Sequence, residues 1–95
     1  MSDVIEKAIA ALAVKLPNGF SATAKFEIKG EGSIIVDENG VRAGDDEADV
    51  TLTASAETFQ GLLEGDVNPT AAFMTGKLKV DGAMGLAMQL GAALA

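Results

Sequence analysis

Cysteine and histidine are both absent from this chain of 95 residues, and the two absences together remove most of the catalytic repertoire. No thiolate nucleophile, no histidine-based triad and no Cys/His zinc site can be built. Without cysteine there are no disulfides, which fits a reducing compartment without requiring one. Tryptophan and tyrosine are also missing, and Phe supplies all the aromatic side chains. Basic charge is scarce: 7 Lys and Arg stand against 14 Asp and Glu, for a net charge of -7. A phosphate-backbone partner needs clustered cations to displace counterions. The few cations here are interleaved with acids, so no nucleic-acid partner is expected, and firm residence on an anionic membrane is disfavoured.

Long apolar runs are missing as well. The N-terminal stretch MSDVIEKAIAALAVKLP is punctuated by Asp3, Glu6, Lys7 and Lys15, and so lacks the basic start and unbroken apolar run of a secretion signal. The uncharged tail from Gly82 to Ala95 is shorter than the ~20 residues that span a bilayer. A cytoplasmic location is the expectation. The hydrophobic fraction of 48% describes one globular domain over residues 1–95. A chain of this size buries roughly 60 to 65% of its unfolded surface, so its core is small and any large cavity is costly.

Ile5, Ala8, Ile9, Leu12 and Leu16 fall at helical spacing. Asp3 and Glu6 suit the first turn of that helix, and Pro17-Asn18-Gly19 stops it. In FSATAKFEIKG, Phe20, Ala22, Ala24, Phe26 and Ile28 alternate with polar residues, the pattern of a strand wet on one side. Gly30 and Gly32 bracket a turn into SIIVD, and the Asn-Gly pair of DENG favours a tight hairpin returning through Val41 and Ala43. VTLTA follows the acidic stretch GDDEAD as a fourth strand, with Val50, Leu52 and Ala54 inward. Ser55 is placed to cap a helix that presents Phe59, Leu62 and Leu63 before Gly65. Asn68-Pro69 opens a shorter helix with Phe73 on its inner face, and KLKVD is a fifth strand. The predicted order is αββββααβα. Strands four and five, joined through helices, are expected to be parallel with a right-handed crossover, and the helices to cover one face of the sheet. The fold class is a two-layer α/β (α+β) domain.

The chemistry of the remaining clusters is thin. Asp45, Asp46, Glu47 and Asp49 lack the Gly and the distant Glu of a calcium loop and read as a solvated turn. Gly30-Glu31-Gly32 has no third Gly and no following helix. Gly76-Lys77 has Ala71 where a phosphate loop needs Gly, and leads into a strand. Neither near-motif implies a cofactor, and neither does any other feature.

Met is distributed unevenly. Apart from Met1, all of it, Met74, Met84 and Met88, falls in the last quarter near Phe73. Read as a helix, GAMGLAMQLGAALA puts Leu86, Leu90 and Leu94 on one stripe and Met84 and Met88 on a neighbouring one, with Gln89 the one long polar side chain. A helix apolar nearly all round must be surrounded by apolar matter, and a small sheet can cover only one stripe. Flexible thioethers fit three surroundings alike: a gap-filled core, a ligand cavity, or a docking surface for a second chain.

ADVTLTAS followed by NPTAAFMTGKLKVDGAMGLAMQL resembles the C-terminal half of the sterol carrier protein type 2 family, and the resemblance extends through FEIKGEGSIIVDENGVRAGDDEAD over nearly the whole chain. It implies helices on one face of a five-stranded mixed sheet with a hydrophobic tunnel between the layers. It also implies non-catalytic binding of a sterol, fatty acid, fatty acyl-CoA or phospholipid. Carried over position by position, the tunnel wall or its cover would include Phe59, Leu63, Phe73, Met74, Met84, Leu86, Met88, Gln89 and Leu90. Gln89 stands where relatives often carry Lys, and Ala83 where a polar residue is common. The expected partner is a hydrophobic small-molecule lipid, with transient membrane contact compatible with that role and a monomer the expected state. The alternatives are an interaction module or homodimer whose C-terminal helix docks on a partner and, more distantly, an enzyme using carboxylates.

Overall fold

In the computed structural model, which describes residues 3–94, the elements follow the expected order. They are α1 (Asp3–Lys15), β1 (Ala24–Ile28), β2 (Gly32–Asp37), β3 (Gly40–Ala43), β4 (Val50–Ala54), α2 (Ala56–Glu64), α3 (Pro69–Met74), β5 (Leu78–Gly82) and α4 (Met84–Leu94). Met1, Ser2 and Ala95 lie outside the described residues, so the chain-end part of the apolar tail is not placed. The alternation that begins at Phe20 becomes a paired strand only at Ala24. Phe20 is nonetheless buried, held by its N–H donating to the Asp37 carbonyl at 3.0 Å.

The strands form one sheet in the order β3-β2-β1-β4-β5. β1 and β4 are parallel at its centre, and the other neighbours are antiparallel. The expected parallel pairing of β4 with β5 is therefore wrong. Leu78, the first residue of β5, sits opposite Ala54, the last of β4. A single helix would carry the chain to the far end of the sheet, but here α2 runs out and the segment through α3 returns, so the chain re-enters at the end it left. The parallel connection runs instead from β3 to β4, through residues 44–49.

That segment corrects a second expectation. Lys25 and Ile35 are paired on β1 and β2 and face away from the helices, because their neighbours Ala24, Phe26, Ile34 and Val36 form the core. Ile35 is nevertheless fully buried. A Cβ on Gly44 would stand 3.3 Å from its Cγ1, and Asp45 accepts from Lys25 Nζ at 2.8 Å. Asp46 lies 3.6 Å from Arg42, whose guanidinium also reaches Asp37 at 2.9 Å. Glu47 is exposed. The acidic stretch is thus a strap across the outer face of the sheet rather than a free turn, and it gives Ile35 its cover.

The expected tight hairpin forms at Asp37-Glu38-Asn39-Gly40. Asp37 pairs with Gly40, so Glu38 and Asn39 occupy the two central positions, both with negative φ, and Gly40 alone takes a positive φ, of 115°. Asn39 N–H donates to Asp37 Oδ1 at 2.9 Å, an Asx turn that shapes the tight hairpin.

On the inner face, Ile5, Ala8 and Leu12 of α1 cover the half of the sheet nearer β3, and α2, α3 and α4 cover the remainder. Gly82 fixes where the last helix begins. Its φ is 106°, and a side chain there would collide with the Asp49 carbonyl, which accepts from Ala83 N–H at 3.1 Å.

Two outcomes follow. Gly82→Ala should lower unfolding stability by clearly more than Gly30→Ala, which also has a positive φ but open space around it and costs only about 1–2 kcal/mol for the left-handed backbone; urea midpoints would measure both. The strap should respond to pH in two opposite ways. The Lys25 ammonium is held above its ordinary pKa, chiefly by the hydrogen bond to Asp45, so its small contribution is present below the unfolded Lys value and lost as pH rises through the folded one. Asp37 is held below its ordinary value by the Asn39 N–H and then by Arg42, so its contribution is present above the unfolded Asp value and lost as pH falls through the folded one. Asp45→Asn should reduce the alkaline decline, with Glu27 and Asp46 still acting on Lys25, and leave the contribution of Asp37 to the acid limb unchanged.

Candidate ligand cavity

The helices on the inner face are short, and their caps decide where they stand. Ser55 Oγ accepts from Thr58 N–H at 3.1 Å to start α2, and Gly65, left-handed at φ 83°, ends it. The chain then folds back so tightly that a side chain on Gly61 would collide with Val67, with Asp66 and Val67 both donating to the Gly61 carbonyl. This return brings Asn68 into position to cap α3, its Oδ1 accepting from Ala71 N–H at 3.1 Å, with Pro69 in the first turn, where its missing N–H costs nothing. Along the six residues of α3, Ala72 is the one that packs into the core. Phe73 stays 41% exposed and Met74 79% exposed, so the expectation that Phe73 forms the inner face is corrected: the inward position holds a methyl group, and the ring stands at the edge.

Small residues in that layer leave a cavity of about 520 Å³. Its floor is Phe26, Leu52, Leu78 and Val80 from the sheet. One side is Phe59 and Leu62 of α2, the next Pro69, Phe73 and Met74 of α3, and the last Met84, Ala87, Met88, Gly91 and Leu94 of α4. Met84 and Met88 are 46% and 71% exposed and form its rim. Among the described residues that line it none is charged, and the polar side chains are those of Asn68 and Thr70. The groups with shifted ionisation, Lys25, Asp37 and Arg42, belong to β1–β3 and stand outside it. Among the described residues no cluster of His, Cys, Asp or Glu could hold a metal ion. The arrangement can take up an apolar body.

Of the residues expected at the site, the structure brings Phe59, Phe73, Met74, Met84 and Met88 together on this cavity. It does not bring Leu63, Leu86, Gln89 or Leu90. Leu63 lies on the opposite side of α2, where it lines a second hollow of about 480 Å³ between α1 and α2. Leu90 is fully buried and Leu86 half-buried against the core, because α4 lays its leucine stripe down toward the sheet. Gln89 is exposed on the outer side. The cavity stripe is instead Met84, Ala87, Met88, Gly91 and Leu94, at i, i+3, i+4, i+7 and i+10. That spacing was available in the sequence, but its small members, Ala87 and Gly91, carry no hydrophobic signal. Gly91 permits close packing: a Cβ there would lie 3.4 Å from Pro69 Cβ. The sheet floor was legible as inward-facing but not as lining a void, since a core residue and a cavity residue share one pattern.

Residues 6–95 match the family model of the SCP-2 sterol transfer family. The chain is 41% identical over 75 residues to human sterol carrier protein 2, covering 78% of this chain and 13% of that protein. It is 46% identical over 63 residues to peroxisomal multifunctional enzyme A of Dictyostelium discoideum, covering 66% of this chain and 13% of that protein. The chain thus spans only a small part of the length of these relatives. Among solved structures, apo sterol carrier protein 2 from Yarrowia lipolytica superposes with a TM-score of 0.68 at 30% identity, covering 97% of this chain and 84% of that one. A sterol carrier protein 2 from Aedes aegypti in complex with palmitate superposes with a TM-score of 0.81 at 23% identity, covering 100% and 97%, a likeness of fold.

The two stripes of α4 should separate in a stability assay. Leu90→Ala removes a fully buried side chain and should cost about 2–5 kcal/mol of unfolding free energy. Met88→Ala, on the rim, should stay within about 0.5–1 kcal/mol of the parent.

Proposed function

The chain belongs to the SCP-2 sterol transfer family, and on that premise we propose that it binds and transfers an apolar lipid without chemically altering it. The observation that carries this reading is the cavity itself: about 520 Å³, with no titratable side chain among the described residues of its wall and a rim of exposed Met and Phe. The palmitate held by the Aedes aegypti protein of like fold supports an acyl chain as the kind of body taken up. The tail lies along Leu52, Leu78 and Val80, and the head group stays at the mouth, where Asn68 and Thr70 supply the polar contacts. With no cation among the described residues of the lining, an anionic head gains no ion pair there, so sterols and other neutral lipids bind at least as well as fatty acids of similar bulk.

Burying about a dozen methylenes yields roughly 10 kcal/mol before the loss of ligand freedom, which places affinity in the micromolar to nanomolar range. Unbranched Met side chains reshape around different tails, so selectivity is broad. The same rim touches the donor membrane during exchange. A net charge of -7 makes that contact brief, and weaker on anionic than on zwitterionic surfaces.

Mass spectrometry under native conditions should show lipid adducts on purified monomer, and the lipid recovered after incubation should be unchanged. A dimer free of adducts would favour the docking alternative, and a modified lipid would favour an enzyme. Met88→Asp should keep a near-parental urea midpoint, since the side chain is mostly exposed, yet lower affinity for a fluorescent fatty acid at least about tenfold, because ligand would bury against a charge. Gln89→Ala should change neither. Normal binding by folded Met88→Asp would remove Met88 from the site.

A further inference from the structure

The second hollow, between α1 and α2, is floored by Val4, Ala8, Ala11, Ile28 and Leu63 and rimmed by charged residues. Among the described residues, Phe59 alone lines both this hollow and the larger cavity. Its ring is held: Phe59 is 2% exposed and packs edge to face on Phe26, with centroids 5.2 Å apart and planes at 83°. Phe26 is itself fixed at the centre of the sheet, opposite Ile34 on one side and Leu52 on the other. On either flank of Phe59, α2 turns Leu62 to the larger cavity and Leu63 to the second hollow.

We propose that Phe59 is the chain-length stop of the ligand cavity: it ends the space open to an acyl tail, and behind it lies a ready-made apolar extension that this chain keeps closed. The proposal rests on the lipid-binding reading and adds a specificity determinant to it. A tail growing within the cavity gains about fourfold in affinity per methylene. A tail that reaches Phe59 has to displace a ring locked between α2 and β1, so the gain ceases at a defined length.

The test is displacement of a fluorescent fatty acid by a homologous series of unbranched fatty acids, with the urea midpoint measured on each variant. In the parent, affinity should climb and then break at one chain length. Phe59→Ala should carry the climb past that break. Ala11→Phe, which fills the second hollow from α1, should leave the parent profile unchanged but restore the break when combined with Phe59→Ala. If Phe59→Ala does not fold, Phe59→Leu keeps most of the packing and should move the break in the same direction by a smaller amount. An unmoved break in a folded Phe59 variant overturns the proposal. So does a shortened limit in Ala11→Phe alone, because tails would then already pass Phe59. If no fatty acid of any length displaces the probe from the parent, the lipid-binding reading fails, and the stop with it.

Discussion

The edge-to-face contact of Phe26 with Phe59, at 5.2 Å between centroids, is where the two layers of this protein are pinned together. Such a pair contributes about 0.5–1.5 kcal/mol beyond its buried area, but its position matters more than its energy. Phe26 lies on β1, between β2 and β4, and Phe59 is, with Leu62, one of the two buried residues of a helix only 9 residues long. Around that contact the helical layer divides into two parts. On the α1 side, Ile5 and Leu12 pack down on the sheet, and the smaller hollow lies between α1 and α2. On the α4 side, the space is left partly empty.

The emptiness is made by small residues rather than by large ones held apart. Ala87 and Gly91 line the cavity where a leucine would narrow it, and Gly91 lets α4 approach Pro69 without blocking the mouth. A void in so small a core weakens the fold, and the molecule offsets this by anchoring α4 on its leucine stripe and by fixing its start at Gly82. The helix is therefore held on one side and loose on the other. Segments with few buried contacts open most readily, and the outer turns of α4, with Gly85, Met88 and Gln89 exposed, have that character.

The outer face of the sheet solves a different problem. Joining β3 to β4 in parallel with β1 leaves the chain on the side without helices, and residues 44–49 cross there. Their carboxylates meet Lys25 and Arg42. Exposed ion pairs contribute little individually. Here they orient a segment whose main effect is to cover Ile35, an apolar residue on a face that is otherwise wet.

Periodicity and local turn chemistry by themselves determined the elements of this protein. The 3.6-residue spacing of Ile5, Ala8 and Leu12, the alternation through Ala24, Phe26 and Ile28, and the caps at Ser55, Asn68 and Gly65 all act over a few residues, and each stands where the sequence places it. Lack of histidine and cysteine likewise set the limits of the chemistry before any geometry. Tertiary structure alone decided three other matters: that β5 runs antiparallel to β4, that the acidic stretch is a strap, and that α4 turns Ala87 and Gly91 to the cavity while Leu90 faces the core. Each depends on contacts between residues far apart in the chain. A hydrophobic pattern states that a side chain will leave water, and only the packed neighbours determine whether it meets protein or an open space.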